Sequence, residues 1–403
     1  MKVLVLGVGL QGKVVLYDLC RSGLVTQIVA ADQDYVALQE YVKGLSNGKV
    51  RGIKLDVRDE SETCRLMRES DVVIDMLPGS FSLPMTRLAT QCGVHLVNTM
   101  YLVDPGKTSP RKREEDEQEV LELDLKAEEK GVTVLPEMGM DPGIDLILCG
   151  QAVQELDTID ELYSYGAGFP EPAAATNAIK YKITWSFDGV LKSYLRPGRI
   201  LKNGRIVNIP ATEIFEAENT HTVDLEGLGQ LEAFVNGDAL KYAGILGIED
   251  GIRNLGRFVL RWSGHCALWQ KMAAMHFLDD RPITVGNVTV SPRKFLCGLL
   301  EPQLQYGKNE KDIALIRIDA CGIKAGKRKR ILYQIIDRRD LVTGFTAMTR
   351  TVGFAASIGA QMILRGDISK RGVISPATDV PFAIFVEELR DRGIELEHSV
   401  EFL

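Results

Sequence analysis

The run VLVLGVGLQG at positions 3–12 constrains this chain's fold more than any other stretch. Four β-favouring apolar residues lead into glycines at 7, 9 and 12, and QGKVVLYDLCRSG then takes helical spacing. Each glycine has a mechanical role in a strand–turn–helix that binds a dinucleotide. Gly7 permits the tight turn, Gly9 lets the backbone approach a pyrophosphate, and Gly12 lets the helix pack close to the sheet. The helix N-terminus then offers N–H groups and a partial positive charge to the phosphates. The next strand, QIVAAD, ends at Asp32, 20 residues after Gly12, where an acid can accept from ribose hydroxyls. Gln33 and Asp34 occupy the same turn and are alternatives for that role. A carboxylate there repels the extra phosphate of NADP, so NAD is the expected cofactor and NADP the less favoured one.

The alternation continues. GIKLDV (52–57), DVVIDMLP (71–78), VHLVNT (94–99) and VTVLPE (132–137) read as strands separated by helical segments, the last of them a charged helix ending at Gly131. Strands rich in Val, Ile and Leu between helices predict a doubly wound parallel sheet, a Rossmann α/β fold, with ligands outside the strands' carboxyl ends. After about 150 the pattern changes. ILKNGRIVNI (200–209) is a hairpin around Asn203–Gly204, and PITVGNVTV (282–290) and the pair 314–323/328–337 look like two more. This predicts an α+β domain with an antiparallel sheet. The expected division is a dinucleotide domain over 1–142, a substrate and dimerisation domain over 143–345, and C-terminal helices over 346–403 that return to the first domain.

At 403 residues the chain is long enough for two lobes. A formal charge of -7 argues against a nucleic-acid surface, and GKRKR (326–330) reads as a solvated hairpin loop. Seven scattered cysteines without metal-ligand spacing read as buried free thiols of a reducing compartment. No apolar run reaches the roughly 18 residues that span a bilayer, and no signal peptide is apparent. A cytoplasmic protein without nucleic-acid or membrane partners and without a metal is expected.

The stretch VLPEMGMDPGIDLILCG (134–150) holds three acids, Glu137, Asp141 and Asp145, in an apolar, glycine-rich setting. Asp141-Pro142-Gly143 reads as a helix start, with Asp141 at the N-cap. That leaves Asp145, one turn on, and Glu137, at a strand end, unexplained. Carboxylates beside a nicotinamide suit a cationic amine and disfavour an anionic substrate, so oxidation of a C–N bond is expected. Asp141 and Tyr101 are the candidate proton-handling groups. Lys182, Arg196 and Arg199, near Trp185, are candidates for a substrate carboxylate. His221, in the polar run ENTHTVD, is the one histidine placed as a proton shuttle. His95, His265 and His276 read as structural.

On these residues the chain resembles the saccharopine dehydrogenase-like family, which includes saccharopine reductases and lysine 6-dehydrogenases. The shared marks are GVGLQG (7–12), LPG (77–79), NTMY (98–101), EMGMDPGID (137–145), YKITWS (181–186), LRWSGH (260–265) and TGFTAMTRTVGFAA (343–356). YKITWS with RPGRILKNG is similar to lysine 6-dehydrogenase; EMGMDPGID with Tyr101 is similar to saccharopine reductase. The resemblance implies that the dinucleotide lies on the glycine loop, including Leu10 and Gln11, and on Asp56, Val57, Leu77, Pro78, Thr99, Met100, Met140 and Pro142, with Trp185 also at the cofactor. It implies substrate contacts at Tyr101 and Asp141, to which the residues add Asp145, Arg199 and His221, and pairing of protomers into a homodimer or higher oligomer. The expected activity is NAD-dependent oxidation at the C–N bond of a lysine-like amino acid. The alternatives are a saccharopine-type or carboxylated-polyamine enzyme and, from another class, a non-catalytic NAD-binding sensor.

Overall fold

The computed structural model describes residues 1–106 and 109–403. The chain divides into two compact units, residues 1–150 with 349–395 and residues 151–348 with 396–403.

The first unit is built on β1 (Lys2–Leu6), β2 (Gln27–Asp32), β3 (Val50–Lys54), β4 (Val72–Asp75), β5 (His95–Asn98) and β6 (Thr133–Leu135). They interleave with helices α1 (Leu10–Arg21), α2 (Tyr35–Leu45), α3 (Glu60–Arg68), α4 (Ser82–Cys92) and α5 (Pro110–Glu129). With a short strand at Gly372–Val373, the all-parallel sheet runs from that strand through β6, β5, β4, β1 and β2 to β3. Its order reverses between β1 and β4, the switch point where such sheets take their ligands. Val3, Leu4, Val5 and Leu6 are all fully buried, as a strand covered on both faces requires.

The first unit extends beyond the expected boundary at 142 because helix α6 (Ile144–Gln154) begins inside it. A Cβ at Gly150 would overlap the Ala377 carbonyl, so this helix packs backbone-close on the 376–379 turn. The last eight residues also depart from the expected helices. EHSVEF forms a strand in the second unit, while Ala347–Arg365 and Phe382–Asp391 are helical.

The second unit contains β7 (Thr158–Pro170), β8 (Gly198–Lys202), β9 (Arg205–Ile209), β10 (Thr220–Leu225), β11 (Gly229–Val235), β12 (Asn254–Trp262), the separate pair β13 (Ile283–Val285) and β14 (Val288–Val290), then β15 (Asp312–Lys324) and β16 (Lys327–Arg338). Counting Gly372–Val373 as β17, the C-terminal strand is β18 (Glu397–Phe402). The main path runs β10, β11, β12, β7, β15, β16, β18. It is antiparallel except where β7 and β12 run parallel. The three hairpins legible in the sequence are present, the first with Asn203 and Gly204 both at positive φ.

Two smaller readings are corrected. GKRKR is a strand start, not a loop: the turn is Ala325–Gly326, and Arg328, Lys329 and Arg330 pair with Asp160, Glu155 and Asp319. Cys64 and Cys92 form a disulfide, because α3 and α4 lie side by side and bring their Cα atoms to 6.1 Å. Cys20, Cys149, Cys266, Cys297 and Cys321 are in no disulfide.

Asp312 caps the helix Ala347–Arg365 by accepting from Ala347 N–H (2.8 Å) and Met348 N–H (3.1 Å). Its carboxylate is fully buried, so Asp312→Ala removes a cap without a water substitute. The expected loss is about 2 kcal/mol, the upper end for a capping residue, read as a lower denaturant midpoint.

Candidate active site

At the end of β1 the chain turns through Gly7, at φ +84. Gly9 is the N-cap of α1, and no side chain caps the first turn. The N–H groups of Leu10, Gln11 and Gly12 therefore lie at an uncapped helix N-terminus. A Cβ at Gly12 would overlap the Gly7 carbonyl oxygen, whereas a Cβ at Gly9 would meet nothing within 4 Å. So Gly12 serves the packing of the helix on the turn, while space beside Gly9 is kept open. These features fit the pyrophosphate of a dinucleotide. Asp32, at the end of β2, has a local structural duty. One carboxylate oxygen accepts from Val8 N–H (2.7 Å) and the other from Asp34 N–H (2.8 Å), tying the glycine loop to the next strand.

The other residues expected to hold a dinucleotide follow the carboxyl ends of the remaining strands. Asp56 and Val57 come after β3, with Asp56 exposed and held in a fork by Arg58. Leu77 and Pro78 come after β4, and Thr99 and Met100 after β5. The loops after β4 and β5 touch, since a Cβ at Gly79 would stand 3.0 Å from the Met100 Cε. The β5 and β6 loops are joined by backbone bonds, from Glu137 N–H to Met100 O (3.2 Å) and from Met138 N–H to Asn98 O (2.9 Å). Tyr101 thus follows directly on a residue tied to Glu137.

The three acids take three different places. Glu137 is buried and sits at φ +58, a left-handed conformation costing a non-glycine residue about 1 kcal/mol or more. Asp145 is fully buried, and its carboxylate accepts from Gly143 N–H at 2.8 Å. That bond braces the turn. Asp141 is half-buried, precedes a cis peptide bond to Pro142, and is not the helix cap, because α6 starts only at Ile144. Met140 and Pro142 flank it, both buried. The turn closes on itself through Gly139 N–H to Pro142 O and Ile144 N–H to Gly139 O, both 3.0 Å. Asp141 is held at the carboxyl end of β6 with its side chain only partly covered.

Trp185, Arg199 and His221 belong to the second unit. The Trp185 ring lies over Gly189, at the helix Phe187–Ser193. Arg199 is ion-paired with Asp238 at 3.5 Å, and Lys182 is buried against Glu310 at 2.5 Å. Both cations are already matched, which weakens them as binders of a substrate carboxylate. His221 shares a hydrogen bond with the Tyr165 hydroxyl (3.1 Å) and packs edge-on against Phe258. Desolvation, helped by Lys202, lowers its pKa. The shuttle expected at His221 is thus a neutral ring engaged with its own sheet. His265 is the satisfied core histidine expected, bonded to the Tyr194 hydroxyl at 2.9 Å. His276 instead lies past the helix His265–Ala274, exposed and paired with Asp279.

At this edge of the sheet one buried acid escaped the sequence reading. Asp75, the last residue of β4, is 3% exposed and faces the same carboxyl edge. The signal was present in VVID, a lone acid closing an apolar strand.

Residues 3–135 match the family model described as the saccharopine dehydrogenase NADP binding domain, and residues 139–394 match the saccharopine dehydrogenase C-terminal domain. The chain belongs to the saccharopine dehydrogenase family. Among curated relatives, the alpha-aminoadipic semialdehyde synthase of Arabidopsis thaliana is 24% identical across 90% of this chain and 40% of its own length. The mitochondrial mouse synthase is 25% identical across 98% of this chain and 47% of its own. The chain therefore spans less than half of those relatives. Saccharopine dehydrogenase [NADP(+), L-glutamate-forming] of Pyricularia oryzae is 24% identical across 99% of this chain and 98% of its own. A solved structure of apo histidine-tagged saccharopine dehydrogenase (L-Glu forming) from Saccharomyces cerevisiae shares the fold, with TM-score 0.83, 21% identity and 99% coverage of both chains.

Membership of this family corrects one expectation. The matched domain is described as NADP binding, so the disfavouring of NADP drawn from Asp32 does not stand. In the structure both Asp32 oxygens accept from backbone N–H groups. No described helix is long and apolar enough to cross a membrane.

Proposed function

We propose that the chain is an NADP-linked oxidoreductase of the saccharopine dehydrogenase type, acting on the secondary amine of a lysine-derived dicarboxylic amino acid such as saccharopine. The observation that carries this reading is the joined pair of loops after β5 and β6, which holds Tyr101 and Asp141 at adjacent strand ends of a dinucleotide domain. The relatives named for the L-glutamate-forming reaction, aligned over nearly their full length, support the same substrate class.

In this reading the glycine turn and the first turn of α1 hold the dinucleotide's phosphates, and the loops after β4 to β6 position its reacting end. When bound, the nicotinamide accepts a hydride. Asp141 attracts the cationic amine and takes its proton, so the nitrogen lone pair is available as hydride leaves the neighbouring carbon. Tyr101 orients that nitrogen by its hydroxyl. Water then adds to the substrate's C=N bond, and the C–N bond breaks as the nitrogen regains a proton. The products are an aldehyde and a free amino acid, L-glutamate in the case of saccharopine. Likeness of YKITWS to lysine 6-dehydrogenase favours a second reading, in which lysine itself is oxidised and ammonia leaves. Initial rates on saccharopine, lysine and a carboxylated polyamine, each with NADP and NAD, separate the two. Saccharopine with NADP is expected to give the highest kcat/KM. Dinucleotide binding without turnover of any amine would sink the enzymatic reading and leave the sensor.

A further inference from the structure

The β4 loop and the end of β5 meet at one side chain of the carboxyl edge. Asp75 is paired in register with Leu6 of β1 and with Asn98 of β5, so it sits between the glycine turn and the loop that carries Tyr101. One of its oxygens accepts from Leu77 N–H at 2.9 Å, and the other faces the Asn98 side-chain amide at 3.4 Å. Asn98 in turn accepts from Met100 N–H at 2.6 Å, which fixes which way its amide points. Leu77 packs against the position a Cβ of Gly7 would occupy, at 3.3 Å. The carboxyl group therefore links the β4 loop to the end of β5, and Leu77 of the β4 loop packs at the glycine turn.

Both neighbours of this carboxyl group are donors, an arrangement that suits a carboxylate and leaves a protonated acid with one weakened bond. Burial opposes ionisation and pushes the Asp75 pKa up to about 7, against the Leu77 N–H, which lowers it. Its two hydrogen-bond partners, Leu77 and Asn98, and its register partner on β1, Leu6, are all uncharged. Among the described residues no charge shifts it. Burial outweighs the donor, which brings the group's titration to about neutrality.

We propose that Asp75 is a positioning residue whose proton sets how firmly the β4 and β5 loops are held for the dinucleotide. The proposal rests on the dinucleotide reading given above. Ionised Asp75 holds both loops and the cofactor binds tightly; protonation slackens one tie and binding weakens. By reciprocity, the bound dinucleotide must lower the proton affinity of Asp75, so binding expels a proton. The same balance acts on the free protein. The folded pKa of about 7 lies above the ordinary 3.8, so the folded state binds this proton more tightly than the unfolded one. Its contribution to stability is fully present below about 3.8 and is lost as pH rises through about 7.

The test is calorimetric titration of the full chain with NADPH across the neutral range, in buffers of different ionisation enthalpy. For the wild type, Kd is expected to fall about 3- to 10-fold from acid to alkaline conditions, the change one hydrogen bond makes, with proton release greatest near neutrality. Asp75→Asn is expected to show a smaller pH step in Kd and less proton release than the wild type, what remains coming from the 2′-phosphate of NADPH, whose second pKa is about 6. Asn98→Ala, which removes the side-chain donor, is expected to move the proton-release maximum to higher pH. It serves as the readout if the first variant fails to fold. Binding by the wild type without a pH step or proton release would overturn the proposal alone. So would undiminished retention of both in Asp75→Asn, an unmoved maximum in Asn98→Ala, or weaker binding above neutrality, which would point to charge repulsion instead. Failure of the wild type to bind any nicotinamide dinucleotide would overturn the functional reading and the proposal together.

Discussion

Asp141→Asn is expected to lower kcat/KM for saccharopine by about 10²- to 10⁴-fold, the range for loss of a positioned acid–base group, while the protein keeps its fold. The substitution keeps side-chain size and removes only the charge and the basic site. The turn has supports of its own. It is closed by the Gly139–Pro142 and Ile144–Gly139 backbone bonds and by Asp145 on Gly143. Melting temperature and dinucleotide affinity should therefore stay near wild type. Tyr101→Phe should give a smaller loss, since a hydroxyl that orients the amine is worth less than the group that takes its proton. A loss below tenfold for Asp141→Asn would remove Asp141 from proton handling, whatever the substrate.

Substitutions in the glycine loop should separate packing from binding. Gly12→Ala forces a methyl into the Gly7 carbonyl, so the turn and α1 must move apart. Overpacking of this kind costs about 1–3 kcal/mol. The displaced helix terminus should also weaken dinucleotide binding by about 10- to 100-fold. Gly9→Ala has room on the protein side and an ordinary extended backbone at φ -73. It should melt like the wild type yet lose a comparable part of its affinity, because the added methyl stands where the pyrophosphate approaches. Thermal melts alongside fluorescence titration with NADPH give both readouts. Equal affinity of Gly9→Ala and wild type would place the phosphates elsewhere.

The first unit was almost fully legible in the sequence because its strands are short apolar runs punctuated by glycine and acid residues. Each of β1 to β6 lies within or next to a run read from the sequence. The second unit was legible only where turn chemistry announced a hairpin, as at Asn203–Gly204. β7 was missed: TIDELYSYGAGFP mixes acids, aromatics and glycines, and its neighbours β12 and β15 are far away in sequence. The same nonlocal pairing hid β18, whose alternation EHSVEF matters only once β16 offers an edge. At the site, residue type identified the acids but not their direction. Asp145 reads as Asp141's partner by spacing, and only the turn's backbone shows that it points to Gly143. Asp32 likewise fits the ribose position by spacing, while its oxygens face Val8 and Asp34. Asp75 went unread because a strand-end acid gains meaning only when the neighbouring strands bring Leu77 and Asn98 to it.

The central claim is that this chain breaks a secondary-amine C–N bond with a nicotinamide dinucleotide as oxidant. The most direct measurement incubates purified protein with saccharopine and NADP, following reduced cofactor by absorbance and free L-glutamate by an independent assay. The account predicts that both appear together, in equal amounts, and that both are lost in Asp141→Asn. Reduced cofactor without glutamate would show that a different bond is broken. Absence of both, from protein that binds the dinucleotide, would contradict the account.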